Sequence, residues 1–333
     1  MARARWLSAQ AASGNCVHSV KFAEAPVNQL AGLAIPQKSC IARAQPLCRI
    51  KANKRSAVTS IMVKKIHFVS GLPRAGSTLL SALLRQNQRF AAAMTSPVVS
   101  LVNALLPKMS GGTEFAVFFD DNRRRAVLKG ILDAYYAHVT SERVVFDTNR
   151  AWTGKLALLG DLYPDTRIIC CVREVGWIID SIEKMLRQNP LQLSRMLNFQ
   201  TGSSVYGRVE TLMNSDNGLI GLAWSSLREA WFSEYARRLI VINYDKLVRE
   251  PQVIMQRLYE ELHEPLFQHD FNHVVYNEPD YDASMGMPGL HKVREKVEFQ
   301  KREPCIPPDI FAKYADTGFW LKPDMNRRGA VIL

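Results

Sequence analysis

Between Ile66 and Leu84 the chain reads IHFVSGLPRAGSTLLSALL, a stretch that few folds can accommodate. Ile66, Phe68 and Val69 are apolar and β-prone, Gly71 and Gly76 bound a short turn containing Pro73, and Ser77-Thr78 opens a run carrying Leu79, Leu80, Leu83 and Leu84. That order predicts a strand, a tight turn and a helix entered directly from the turn. Such a turn aims unpaired backbone N–H groups and the positive end of the helix dipole at one point, where anions bind. Arg74, Ser77 and Thr78 add a guanidinium and two hydroxyls, a set suited to tetrahedral oxygens. The spacing Gly71-x-x-x-x-Gly76 matches a nucleotide-triphosphate loop as far as its second glycine. Ser77 then stands where that loop has the lysine that grips the β- and γ-phosphates, which weighs against an ATPase or kinase.

The segment GLPRAGSTLL resembles the 5′-phosphosulfate-binding loop of sulfotransferases, in the arginine-bearing form of the tyrosylprotein sulfotransferases and related bacterial enzymes. The resemblance implies 3′-phosphoadenosine 5′-phosphosulfate as donor, with no metal needed, and an α/β, P-loop-like three-layer fold with a mostly parallel sheet and helices on both faces. It assigns Pro73, Arg74, Ala75, Gly76, Ser77 and Thr78 to the donor, with Arg74 also catalytic.

A second segment, RIICCVREVGWIIDSIEKM, predicts a strand, then Arg173, then a helix with Ile178, Ile179, Ile182 and Met185 on its apolar side. In the family, an Arg and a Ser at the separation of Arg173 and Ser181 bind the 3′-phosphate. A third, LIVINYDKLVREP, resembles the family strand whose terminal Tyr, here Tyr244, touches the nucleotide. A fourth, GLHKVREKVEFQK, resembles the late loop that folds over the nucleotide and ends with a lysine, and makes His291, Lys292 and Arg294 candidates; a solvated charged helix gives the same pattern. Arg150, or its neighbour Asn149, matches the cationic residue facing the transferred group. The tyrosylprotein enzymes place a catalytic glutamate about twenty residues past the loop arginine. This chain has AAAMTSPVV there, with Thr95 and Ser96 and no carboxylate, so Asp147 and His291 are the available bases. Either also serves structurally, an acid at a strand end as a cap and a lone His packed in the core.

The 333 residues are 47% hydrophobic and 22% charged, enough for a large core. The net charge of +12 is concentrated upstream: residues 1–61 hold nine Lys or Arg against Glu24, a net of +8, which leaves +4 for the rest. No basic stripe interleaved with aromatics marks a nucleic-acid surface, and no apolar run reaches membrane-spanning length. The cysteines lack metal-ligand spacing, and adjacent Cys170 and Cys171 on one strand point to opposite faces. Residues 1–61, nearly free of acids and with an interrupted apolar content, resemble an organelle transit peptide, plastid or mitochondrial, with plastid favoured. Alternatively Met62 starts the functional chain and the protein is cytoplasmic. Residues 62–333 then form one sulfotransferase domain acting on a hydroxyl or amine of a small molecule, carbohydrate or peptide. The rivals are a kinase-like phosphotransferase and a non-catalytic nucleotide-binding protein; oligomeric state is not readable.

Further expected elements are helices over 98–106, 123–139, 152–162 and 218–235, a strand over 143–146, and an irregular polar segment over 190–216. Val127, Ile131, Tyr135 and Val139, four residues apart, are the expected core face of the second helix.

Overall fold

A computed structural model describes residues 65–198 and 204–333; the leader assignment to residues 1–61 lies outside them. The strands are β1 (Ile66–Gly71), β2 (Phe90–Ala92), β3 (Val144–Thr148), β4 (Ile168–Val172), β5 (Leu239–Asn243) and β6 (Val331–Ile332). The helices in chain order are α1 (Ser77–Leu84), α2 (Val98–Met109), α3 (Asp121–Tyr135), α4 (Leu156–Leu162), α5 (Val175–Gln188), α6 (Val205–Met213), α7 (Gly221–Phe232), α8 (Tyr244–Arg249), α9 (Pro251–Leu262), α10 (Pro279–Ser284) and α11 (Pro308–Lys313). All strand pairings are parallel, in the order β2-β3-β1-β4-β5-β6. Every residue of β1, β3 and β4 is buried, so both faces of the sheet are covered, as a parallel sheet requires.

The strand order reverses around β1. The chain leaves β1 for β2 and β3 on one side, then returns to place β4 on the other. Ligands of open parallel sheets bind at such a switch point, outside the carboxyl ends of the strands. The residues that end or follow β1, β3, β4 and β5 there are Gly71, Thr148, Arg173 and Tyr244.

Three expectations are corrected. α3 ends at Tyr135 rather than 139 and buries Leu128 and Leu132; of the expected face Val127 and Tyr135 are exposed, Ile131 is half-buried against the core, and Val139 is buried beyond the helix end. Two apolar series with the same four-residue period run side by side along this helix, and packing selects the second. Within 190–216, Ser204 accepts a hydrogen bond from the Gly207 N–H and starts α6, whose Val209 and Leu212 are buried. Arg208 on α6 pairs with Glu183 on α5 at 2.6 Å, a tertiary link that a polar stretch does not announce. The expected helix over 152–162 begins instead as a 3-10 turn over Arg150–Lys155 and becomes α-helical at Leu156.

His67 on β1 gives the fold a pH dependence. Its ring is buried and Nδ1 accepts the Arg167 N–H at 3.0 Å. Burial, then the charges of Lys65 and Arg167, lower its pKa from 6.5 to about 3. Between those values the unfolded chain binds a proton that the folded chain does not. The stability is therefore full above pH 6.5 and is lost as pH falls towards 3, by up to about 1.4 kcal/mol per pH unit. His269, lowered by burial to about 4, adds to the upper part of that range. The urea midpoint should fall on acidification and fall less steeply in His67→Asn, which keeps an acceptor for Arg167; equal slopes would remove His67 as the cause.

Candidate functional site

The turn after β1 is shaped by two glycines. Gly71 has φ +109°, and a Cβ there would lie 2.2 Å from the Cys171 carbonyl oxygen of β4. Gly76 has φ +96°, and a Cβ would lie 2.7 Å from the Tyr244 ring. Gly76 is also the N-cap of α1, which has no side-chain cap and no acid in its first turn. Its leading N–H groups consequently point out of the helix end without a partner from within it. The hydroxyls of Ser77 and Thr78 make no hydrogen bond to a described residue and face the same cavity.

Arg74 sits in this turn with φ +56°, an uncommon conformation for a residue with a side chain. Its guanidinium is tied at two points: Nε donates to Ser181 Oγ at 3.2 Å and Nη1 to the Leu290 carbonyl at 2.5 Å. Ser181 is on the second turn of α5, so the first and second segments are joined directly. Arg173, at the end of β4, lies 4.3 Å over the Tyr244 ring, and its Nε is buried with no partner. Burial lowers the pKa of both guanidiniums; at Arg74 it outweighs the upward pull of Tyr244 and Asp282, and the charges of Arg173 and Arg302 act in the same direction as burial. The site thus holds more positive charge than its own groups neutralise, and a polyanion would relieve that.

Arg150 follows β3. Its carbonyl accepts from Ser70 Oγ at 2.9 Å and Thr153 Oγ1 at 3.1 Å, and Asn149 Oδ1 accepts the Ala151 N–H at 3.1 Å. These bonds hold the backbone while the Arg150 guanidinium has no hydrogen-bond partner among the described residues. Asp147 lies beneath this turn, fully buried, and accepts from Ser96 Oγ at 2.7 Å, Tyr136 Oη at 2.7 Å and Trp152 Nε1 at 2.6 Å. It does not line the cavity. The expectation that Asp147 could be a base is therefore corrected: three donors occupy its oxygens, and it braces the turn that presents Arg150.

The fourth segment is irregular rather than helical. It closes one wall of a cavity of about 350 Å³ bounded by Pro73, Arg74, Gly76, Ser77, Thr78, Arg150, Arg173, Ser181 and Tyr244. His291, Lys292 and Arg294 line it. Ala75 does not: it is buried in the core. The basic residue that ends the segment at the cavity is Arg302 rather than Lys301. Arg302 is held by Asp180 at 2.9 Å and lies 5.0 Å from the Trp177 ring centroid. Sequence reasoning missed Arg302, Lys296 and the apolar wall of Met94, Met196, Leu219 and Met285. For Arg302 the signal was the run QKREP, in which adjacent basic residues cannot be ranked without their burial.

Lining the cavity are Arg74, Arg150, Arg173, Lys292, Arg294, Lys296 and Arg302, against Glu298 as the single carboxylate. Among the described residues no group of three or more His, Cys, Asp or Glu is placed to hold a metal ion, and no helix is long and apolar enough to cross a membrane.

The parallel sheet, the anion-accepting turn at its switch point and the basic cavity define an α/β protein of the P-loop-like class. Its affiliation is narrower than that: residues 67–269 match the family model described as "Sulfotransferase family", and the chain belongs to that family. It is a sulfotransferase. No curated protein matches it. Among solved structures, the sulfotransferase domain from the curacin biosynthetic pathway is similar at 16% identity, over 76% of this chain and 96% of that one, with a TM-score of 0.48. The sulfotransferase domain of the Synechococcus PCC 7002 olefin synthase is similar at 17% identity over 76% and 95%, TM-score 0.42. A sulfotransferase from Alicyclobacillus acidocaldarius is similar at 16% identity over 66% and 89%, TM-score 0.39.

Proposed function

We propose that the sulfuryl donor is 3′-phosphoadenosine 5′-phosphosulfate and that the cavity around Arg74 is its site. The observation that carries this reading is the concentration of seven basic side chains around an uncapped helix N-terminus. A donor with phosphates at two positions and a sulfate needs cations at several points rather than one. In this reading the backbone of Pro73, Ala75 and Gly76, with Ser77 and Thr78, holds the 5′-phosphate, while Arg173 and Ser181 take the 3′-phosphate beside Tyr244. Lys292 and Arg294 are exposed at the rim, where they close over the nucleotide.

Transfer in line from the phosphosulfate to an acceptor oxygen or nitrogen builds negative charge on the bridging oxygen. Preorganised donors stabilise that charge more than the ground state and so lower the barrier. Arg74 serves there, and Arg150, braced from beneath by the Asp147 cluster, faces the group in transit. Ser77 in the lysine position of a triphosphate loop disfavours a kinase-like phosphotransferase.

The acceptor is a hydroxyl or amine on a small molecule, carbohydrate or peptide. Incubating the full chain with sulfur-labelled donor and a panel of such acceptors should yield a labelled acceptor and stoichiometric adenosine 3′,5′-bisphosphate. Phosphate transfer from ATP instead would overturn the reading. We further propose that residues 1–61 are a transit peptide, plastid or mitochondrial. A fluorescent fusion that remains in the cytoplasm would remove that assignment.

A further inference from the structure

Asp282 belongs to none of the four sequence segments, yet like Asp147 it is a carboxylate with no exposed surface. It lies on α10, and the chain then turns through Gly286 and Gly289, with φ of +65° and +79°. Gly286 packs so tightly on the Leu193 carbonyl that a Cβ would lie 2.4 Å from it. The turn brings His291 back onto Asp282. The His291 N–H donates to Asp282 Oδ2 at 2.8 Å, and Nδ1 meets Oδ1 at 2.5 Å.

The same peptide unit does a second task. Its N–H belongs to His291 and is held by Asp282, while its carbonyl belongs to Leu290 and accepts from Arg74 Nη1. One carboxylate therefore fixes the imidazole ring and the acceptor to which Arg74 is anchored.

We propose that His291 is the general base of the transfer and that Asp282 is the positioning residue that sets both its tautomer and the Leu290–His291 peptide holding Arg74. The proposal rests on the donor site described under Proposed function. With Nδ1–H donated to Asp282, Nε2 is the acceptor atom, and it has no partner among the described residues. His291 lines the cavity with Arg74 and Arg150. The acceptor hydroxyl gives its proton to Nε2 as its oxygen bonds to sulfur. The bond from sulfur to the bridging phosphate oxygen breaks, its electron pair leaving on adenosine 3′,5′-bisphosphate. The resulting imidazolium, stabilised by Asp282, returns its proton to water.

The electrostatic surroundings agree. Burial lowers the His291 pKa, and the charges of Arg74 and Arg150 lower it further, against the upward pull of Asp282. Also around it are Tyr281, whose ring centroid is 5.4 Å away, and Lys292 and Arg294 at the rim. The ring is accordingly neutral at pH 7, as a base must be, and the rate should fall as pH drops below the usual histidine range.

The acceptor being unidentified, the probe is water. Release of adenosine 3′,5′-bisphosphate from the donor by the full chain is followed against pH, and calorimetry with the bisphosphate reports donor-site integrity. His291→Ala should lose release by at least about a hundredfold and regain part of it with added imidazole. Asp282→Asn keeps the volume but offers the ring an N–H, which favours the wrong tautomer. It should lose a similar factor in kcat and the acid limb of the profile, with Asp282→Glu partly restoring both. Bisphosphate binding should persist in the Asn and Ala variants and fall by far less than the rate, because Ser77, Thr78, Arg173 and Ser181 are untouched. Wild-type rates and an unchanged acid limb in Asp282→Asn or His291→Ala overturn the proposal. Absent bisphosphate binding in the wild-type chain instead overturns the donor reading, and this proposal with it.

Discussion

Arg74→Ala is expected to lower transfer by about a hundredfold to a thousandfold while leaving a folded protein. The fold should survive because alanine and arginine both carry a Cβ, so the backbone at φ +56° bears the same cost in either. What is lost is a guanidinium tied to α5 through Ser181 and to the late segment through Leu290. Those ties fix it before the donor arrives, and preorganisation is what gives such a group its large effect. Arg74→Lys should fall well short of wild type, since an ammonium cannot hold Ser181 and Leu290 while also facing a bridging oxygen as a fork does. Steady-state rates with labelled donor, beside circular dichroism of the variant, measure both halves of the expectation. A variant that turns over at the wild-type rate would remove Arg74 from the mechanism.

Gly71→Ala should abolish folding rather than merely activity. Gly71 is paired with Cys171 in the register of β1 with β4, and three backbone atoms of Cys171 lie within 3 Å of where the new carbon would go. None of them is the end of a flexible side chain, and β1 is the strand around which the sheet reverses. The positive φ adds strain of its own. The chain should appear in the insoluble fraction, or as a species without a cooperative unfolding transition. Gly76→Ala is the milder case, because the Tyr244 ring it would strike can shift. A soluble, cooperative Gly71→Ala protein would show that the β1–β4 contact yields more than its geometry suggests.

The contrast between the loop and the late segment shows what the sequence could convey. Gly71, Pro73, Gly76 and Ser77-Thr78 are neighbours in the chain, and their local chemistry dictates the turn, so strand, loop and helix were legible. Arg173 and Ser181 were legible for the same reason. The bond from Arg74 to Leu290 spans 216 positions, and that to Ser181 spans 107. Nothing local records either. Asp282 lies in PDYDAS beside Asp280, and only the fold decides which of the two is buried against His291. Asp147 went wrong in the opposite way: a strand-end acid looks available until Ser96, Tyr136 and Trp152 are seen to occupy its oxygens. On α3 the ambiguity lies in the pattern itself, since Val127, Ile131 and Tyr135 compete with Leu128 and Leu132 at equal spacing.

The most direct test of the donor site is calorimetric titration of the full chain with adenosine 3′,5′-bisphosphate, with and without magnesium, beside ATP with magnesium. Metal-independent binding of the bisphosphate, weakened at least about tenfold in Arg173→Ala, is the predicted result, the loss of one charge-assisted bidentate contact being worth that much. No binding of the bisphosphate, or preference for ATP with magnesium, would contradict it.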